Sequence, residues 1–96
     1  MKRNYQFIRD TLKEIPECEL YGAQGGWYAI LKLPAVQKEE DWVMDFLKLD
    51  QVFVHPGYFF DFPQEPCIVL SLLPAEHVFQ DGFTRIKRRV VSQVAT

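Results

Sequence analysis

The sequence predicts an α+β domain, a two-layer sandwich in which a mostly antiparallel sheet of three to four strands carries helices on one face. Three observations predict it. Apolar residues recur at helical spacing at residues 2–15, at 38–49 and from 74 onward. Between these stretches lie short apolar runs rich in β-branched and aromatic residues, at 19–21, 27–33, 52–54 and 67–73. Proline and glycine punctuate the runs and leave little room for longer elements. The order is therefore α-β-β-α-β-β-α. Strands paired as hairpins, with the helices gathered on one side, make two layers.

The first helix follows from Tyr5, Ile8, Leu12 and Ile15, which fall three and four residues apart on one face. Arg9, Asp10, Lys13 and Glu14 sit mostly on the other side. Pro16 ends the helix, because the residue before a proline avoids the helical region. Glu19-Leu20-Tyr21 reads as a short strand, and Gly22 to Gly26 as a turn or loop. Trp27 to Leu33 is the clearest strand. Trp27, Ala29, Leu31 and Leu33 alternate with Tyr28, Ile30 and Lys32, so both faces are largely apolar and the strand is central. Pro34 stops it.

The second helix, 38–49, has Glu39, Glu40 and Asp41 in its first turn, where carboxylates complement the helix dipole. Trp42, Val43, Phe46 and Leu47 form its expected buried stripe. Val52-Phe53-Val54 reads as a strand that His55-Pro56-Gly57 turns aside, since proline cannot donate to a ladder and glycine permits positive φ. Cys67 to Leu73 is the last strand. Pro74 is placed like a first-turn proline opening the third helix. Phe79, Phe83, Ile86, Val90 and Val94 mark one face of it, and Arg85, Lys87, Arg88 and Arg89 load its later turns. Those basic residues read as a solvated, dipole-favoured face.

At 96 residues the chain is one domain, 1–96, with a modest core. It is 48% hydrophobic and 25% charged, which is a globular and not a disordered composition. A net charge of −2 excludes the basic footprint that nucleic-acid binding needs. No apolar run reaches the length of a membrane span, and no apolar segment follows Met1-Lys2-Arg3 as a signal peptide would require. Two cysteines, Cys18 and Cys67, are too few for a disulfide scaffold and fit a reduced, cytoplasmic protein.

Motifs for chemistry are sparse. His55, His77, Cys18 and Cys67 show no metal-ligand spacing. Ser71 lies in a strand without a nucleophile elbow, and Gly25-Gly26 precedes a strand, not the helix a phosphate loop requires. His55 on its turn is the residue best placed to meet a ligand near neutral pH. Tyr58, Phe59, Phe60 and Phe62 read either as core or as a wall against a ligand or second domain.

The motifs taken together resemble the C-terminal small domain of class I/II pyridoxal-phosphate-dependent aminotransferases. Asn4 to Ile15 is similar to the helix leading into that domain. Gly25-Gly26-Trp27-Tyr28 looks like the family's "P-x-G-G-x-F/Y" segment. Val52 to Phe60 resembles "V-x-V-x-P-G-x-x-F", Ser71 the serine closing its strand, and Pro74 to Val90 the closing helix. The similarity spans roughly residues 2–94. It implies an enzyme that moves an amino group between an amino acid and a 2-oxo acid. It also implies pyridoxal phosphate in the parent enzyme, an upstream large domain of the same chain as partner, and a homodimer as the full-length state. In the family the large domain supplies the Schiff-base lysine, so this chain alone is expected to be inactive and to hold no cofactor. The substrate-cleft residues implied are Gly25, Gly26, His55, Pro56, Gly57 and Tyr58, as walls and not as catalysts. One position departs from the pattern. The arginine that grips the substrate carboxylate two residues before the serine is here Val69, and the nearest arginine, Arg85, is a helix residue. A stand-alone ligand-binding regulatory module, dimeric with ligand between subunits, is the competing expectation.

Overall fold

The computed structural model describes residues 2–24, 27–56 and 66–95. Three helices and four strands follow in the order α1 (Lys2–Leu12), β1 (Glu19–Gln24), β2 (Tyr28–Lys32), α2 (Glu39–Leu49), β3 (His55–Pro56), β4 (Cys67–Ser71) and α3 (Glu76–Ala95). The strands form one sheet in the order β1-β2-β4-β3, and each neighbouring pair is antiparallel. The expected α+β architecture and element order are therefore observed.

Side chains alternate across a strand, so register fixes which residues share a face. Ala29, Leu31 and Leu33 point the same way as Ile68, Leu70 and Leu72. They form one buried cluster with Ile8 of α1, Trp42 and Phe46 of α2, and Phe79, Phe83, Ile86 and Val90 of α3. All three helices thus cover one face. On the other face Ile30, Cys67 and Val69 form a smaller buried cluster, with Tyr28 packed against it. The central place of β2 follows, and three consecutive buried residues in it mark cover on both sides.

Several boundaries differ from the sequence expectation, each for a physical reason. α1 ends at Leu12, three residues early. The chain then leaves in tight turns, Glu14 N–H to Thr11 O and Ile15 N–H to Leu12 O, before Pro16 forbids more helix. Ile15 stays in the core all the same. β1 runs on through Gly22, Ala23 and Gln24, which had read as loop. Pairing with β2 holds them, and the register shift between Leu20 and Gly22 absorbs Tyr21 as a bulge.

The strand expected at 52–54 is displaced to His55–Pro56. The Asp50 and Val52 N–H groups both reach the carbonyl of Phe46, and Gln51 takes a left-handed φ of 58° between them. The chain closes the end of α2 before it can join the sheet. Pro56 is then tolerated in a ladder because β3 is an outer strand. In α2 itself, Trp42 and Phe46 are fully buried and stacked with centroids 5.7 Å apart, Val43 is partly buried, and Leu47 lies outside the core at 42% exposure. In α3 Val94 is likewise outside the core.

Pro74 does not open α3. The helix begins at Glu76, with the Phe79 N–H bonded to Ala75 O at 2.9 Å. The Pro74 carbonyl serves another purpose. Asn4, the one buried polar residue among those described, donates Nδ2 to Leu72 O at 3.0 Å and Pro74 O at 2.9 Å. α1 is thereby tied to the β4–α3 connection. Replacing Asn4 by alanine leaves two carbonyls without their donor. The expected loss of stability is about 1–3 kcal/mol, read from urea or guanidinium unfolding. A change within the ordinary surface range of about 0.5 kcal/mol would show that the tie contributes nothing.

Candidate functional site

The face of the sheet away from the helices is organised by β4. Val69 is fully buried and stands level with Ile30 on one side and His55 on the other. Ser71 stands level with Tyr28, and Pro56 with Ile68. His55, on the outer strand, is half-buried, and the Phe53 ring meets its imidazole edge-on with centroids 5.1 Å apart. Neither imidazole nitrogen has a hydrogen-bond partner among the described residues. Of the cleft residues expected from the sequence, His55 and Pro56 are thus placed in one strand beside Val69. Gly25, Gly26, Gly57 and Tyr58 lie outside the described residues. Gln24, just before the double glycine, pairs with Tyr28, two residues after it, level with Ser71. Ser71 closes β4 with its Oγ accepting the Leu73 N–H at 3.2 Å, a local turn contact.

A groove of about 260 Å³ opens on the other side of β4's end. Val52 and Phe53 form one wall, Val78 and Gly82 the other, with Leu70 and Ser71 between them. A Cβ at Gly82 would meet nothing within 4 Å, so the glycine keeps that wall open without being required by packing. Part of its lining is apolar and uncovered: Phe53 is 70% exposed and Val78 54%. Exposed apolar surface in a groove is a feature of interaction sites.

Three of the four basic residues of α3, Arg85, Lys87 and Arg89, make ion pairs or hydrogen bonds to other groups of the chain. Arg89 donates Nε and Nη2 to the two carboxylate oxygens of Asp50, each at 3.0 Å, in a fork-to-fork pair. Donating to the Asp50 carboxylate pushes the arginine's pKa up. Arg85 donates to the Asp50 carbonyl at 3.0 Å and pairs with Asp81 at 3.2 Å, while Lys87 pairs with Glu14. Cations gather at the C-terminal end of α2, where the helix dipole favours them. Arg85 therefore sits on the helical side of the sheet, across it from Val69, and does not replace a cation there. Sequence reasoning missed Asp50, and also Glu39, whose Oε1 accepts the Cys67 N–H at 2.8 Å. Nothing in the local pattern distinguishes either from an ordinary surface acid.

Neither cysteine forms a disulfide, and both are buried, Cys18 in the core under the helices and Cys67 in the cluster on the opposite face. Among the described residues no group of three His, Cys, Asp or Glu could hold a metal ion. Among the described residues no helix is long and apolar enough to cross a membrane. Comparison with protein-family models, with curated proteins and with solved structures gives no match.

Burial, aided by nearby Glu17, pushes the Cys18 thiol up from 9.0 to about 12. The folded chain then holds a proton that the unfolded chain releases, so stability falls as pH rises from 9 towards 12. Comparing unfolding of the wild type with Cys18→Ala across that window isolates the contribution. The gap between them should shift against the wild type as pH rises, and a gap independent of pH would contradict it. Thiol reagents should label Cys18 at pH 8 only after unfolding.

Proposed function

We propose that this chain is the C-terminal small domain of a class I/II pyridoxal-phosphate-dependent aminotransferase. In that role it closes over an amino-acid or 2-oxo-acid substrate held by a larger upstream domain. The observation that carries the reading is the uncovered apolar groove beside the end of β4, a surface suited to being packed against another domain. The single helical face and the α-β-β-α-β-β-α order are in keeping with it.

The residues of this chain do not themselves fit the cofactor. A lysine that bonds to it covalently is ordinarily activated by desolvation, and none of the six lysines here is buried. When bound by the large domain, pyridoxal phosphate serves as the electron sink for the chemistry at the substrate's α-carbon. This chain's part is to exclude water and to complete the cleft wall as the domains close. Gly25, Gly26, His55, Pro56, Gly57 and Tyr58 are the proposed wall, and Phe53 and Val78 the proposed packing surface. A full-length homodimer and a cytoplasmic location belong to the same proposal.

The purified chain mixed with pyridoxal phosphate should give no stoichiometric visible band that one lysine substitution removes, and should sediment without forming a ligand-bridged dimer. Phe53→Ser with Val78→Ser should lower binding of an apolar dye several-fold while leaving the fold intact. A lysine-specific cofactor band, or a symmetric dimer stabilised by a free amino acid, overturns the reading. The second outcome would favour a regulatory binding module.

A further inference from the structure

We propose that α3 and the C-terminal end of α2 form a binding site for the phosphate group of a small phosphorylated molecule, with Arg88 as its principal donor. The proposal goes beyond the aminotransferase reading and does not depend on it.

A pocket of about 480 Å³ lies where the end of α2 meets α3. Arg85, Arg88, Arg89 and Ser92 line it from α3, and Asp50 and Gln51 from the other side. The α3 positions are three and four residues apart, so they share one helix face, where arginines at such spacings repel one another. The whole chain carries a net charge of −2, so the cluster is a local feature and not one instance of a basic protein.

Part of the charge is answered within the chain. Arg89 forks onto the Asp50 carboxylate, with Asp45 nearby, and Arg85 pairs with Asp81 and donates to the Asp50 carbonyl. The Phe46 carbonyl at the end of α2 is covered by the Asp50 and Val52 N–H groups. These bonds hold two guanidiniums in place. They leave Nε of Arg85 and Nη1 of Arg89 without a partner among the described residues. Arg88 is exposed and makes no hydrogen bond or ion pair with them at all, so its N–H donors are open to a ligand. Lys87, outside the pocket, is taken by Glu14.

The lining sets three guanidiniums against one carboxylate. A phosphate monoester carries nearly two negative charges and three strong acceptor oxygens near neutral pH, whereas a carboxylate carries one charge on two oxygens. Guanidinium forks match phosphate oxygens in pairs, and two of them are already positioned by Asp50, which lowers the cost of ordering the site. The volume falls within the range of small-molecule sites and leaves room for the esterified group.

Guanidinium nitrogen resonances of the 96-residue chain can be followed near neutral pH while glycerol 3-phosphate is added at constant ionic strength. The signals of Arg85, Arg88 and Arg89 should move saturably. Those of Arg3 and Arg9, which do not line the pocket, should stay still. Dimethyl phosphate, a singly charged diester, should bind at least several-fold more weakly. Arg88→Gln should weaken binding at least about tenfold, the size expected for losing a charged hydrogen bond. Arg88→Lys, which keeps the charge and loses the fork, should fall between. Arg9→Gln removes the same charge elsewhere and should change nothing. Each variant is first checked for the wild-type amide spectrum, and the lysine variant carries the test if the glutamine one fails to fold. The chain should not sediment with vesicles of phosphatidylcholine and phosphatidate, which offer the same phosphate on a lipid.

Equal movement of all five arginines, or the same shifts on adding sodium chloride alone, reduces the effect to screening and overturns the proposal. An unchanged midpoint in Arg88→Gln, equal losses in Arg88→Gln and Arg9→Gln, or no saturable response overturns it as well. Sedimentation with the vesicles overturns the assignment to a small molecule in favour of a lipid headgroup.

Discussion

The antiparallel pairing of β2 with β4 is the constraint from which the rest of the molecule follows. Five residue pairs, from Tyr28 with Ser71 to Lys32 with Cys67, set the register. That register turns Ala29, Leu31, Ile68 and Leu70 to one side and Ile30, Cys67 and Val69 to the other. Both sets are apolar, so both must be kept from water, and fully burying one such large side chain is worth roughly 1.5–3 kcal/mol. A slip of one residue would exchange the two faces. The helices can cover only one side, and each brings large side chains to it: Ile8 from α1, the stacked Trp42 and Phe46 from α2, and four residues of α3.

Polar contacts then fix how the helices sit on that side. Asn4 bridges α1 to the carbonyls between β4 and α3, and Asp50 holds Arg89 and, through its carbonyl, Arg85. These are few and partly buried, the circumstance in which a hydrogen bond carries more weight than on the open surface. Asp50 does more than pair charges. It stands at the end of α2, where Gln51 turns left-handed and Val52 returns its N–H to Phe46. That closure delays the chain's entry into the sheet until His55, and the delay places the imidazole level with Val69.

The position of His55 beside Val69 is thus a consequence of how one helix ends. Had the ladder begun at Val52, as the β-branched residues suggest, the register of His55 against β4 would have been different. The apolar groove has a related origin. Val52 and Phe53, outside the sheet, line it together with Val78 and Gly82 of α3, and Phe53 and Val78 stay exposed.

Much of this was legible in the sequence. Periodicity located all three helices, and the doubly apolar run at 27–33 announced a central strand, because both signals come from neighbours along the chain. The helical face of α3 could be read from Phe79 to Val90 for the same reason. The site was legible only in part. His55 stood out as a titratable residue on a turn, but its partner across the ladder could not be read. Val69 could be named as lacking a charge, yet not as the residue beside that histidine. Nor did any local pattern show that Gly22 to Gln24 would pair, that Leu47 would be left outside, or that Asn4 and Asp50 would be tied to distant backbone and arginines. Propensity and spacing act within a turn or two of the chain. Register, edge position and long-range hydrogen bonds depend on which residues 30 to 70 positions away arrive at the same place, and only the packed structure decides that.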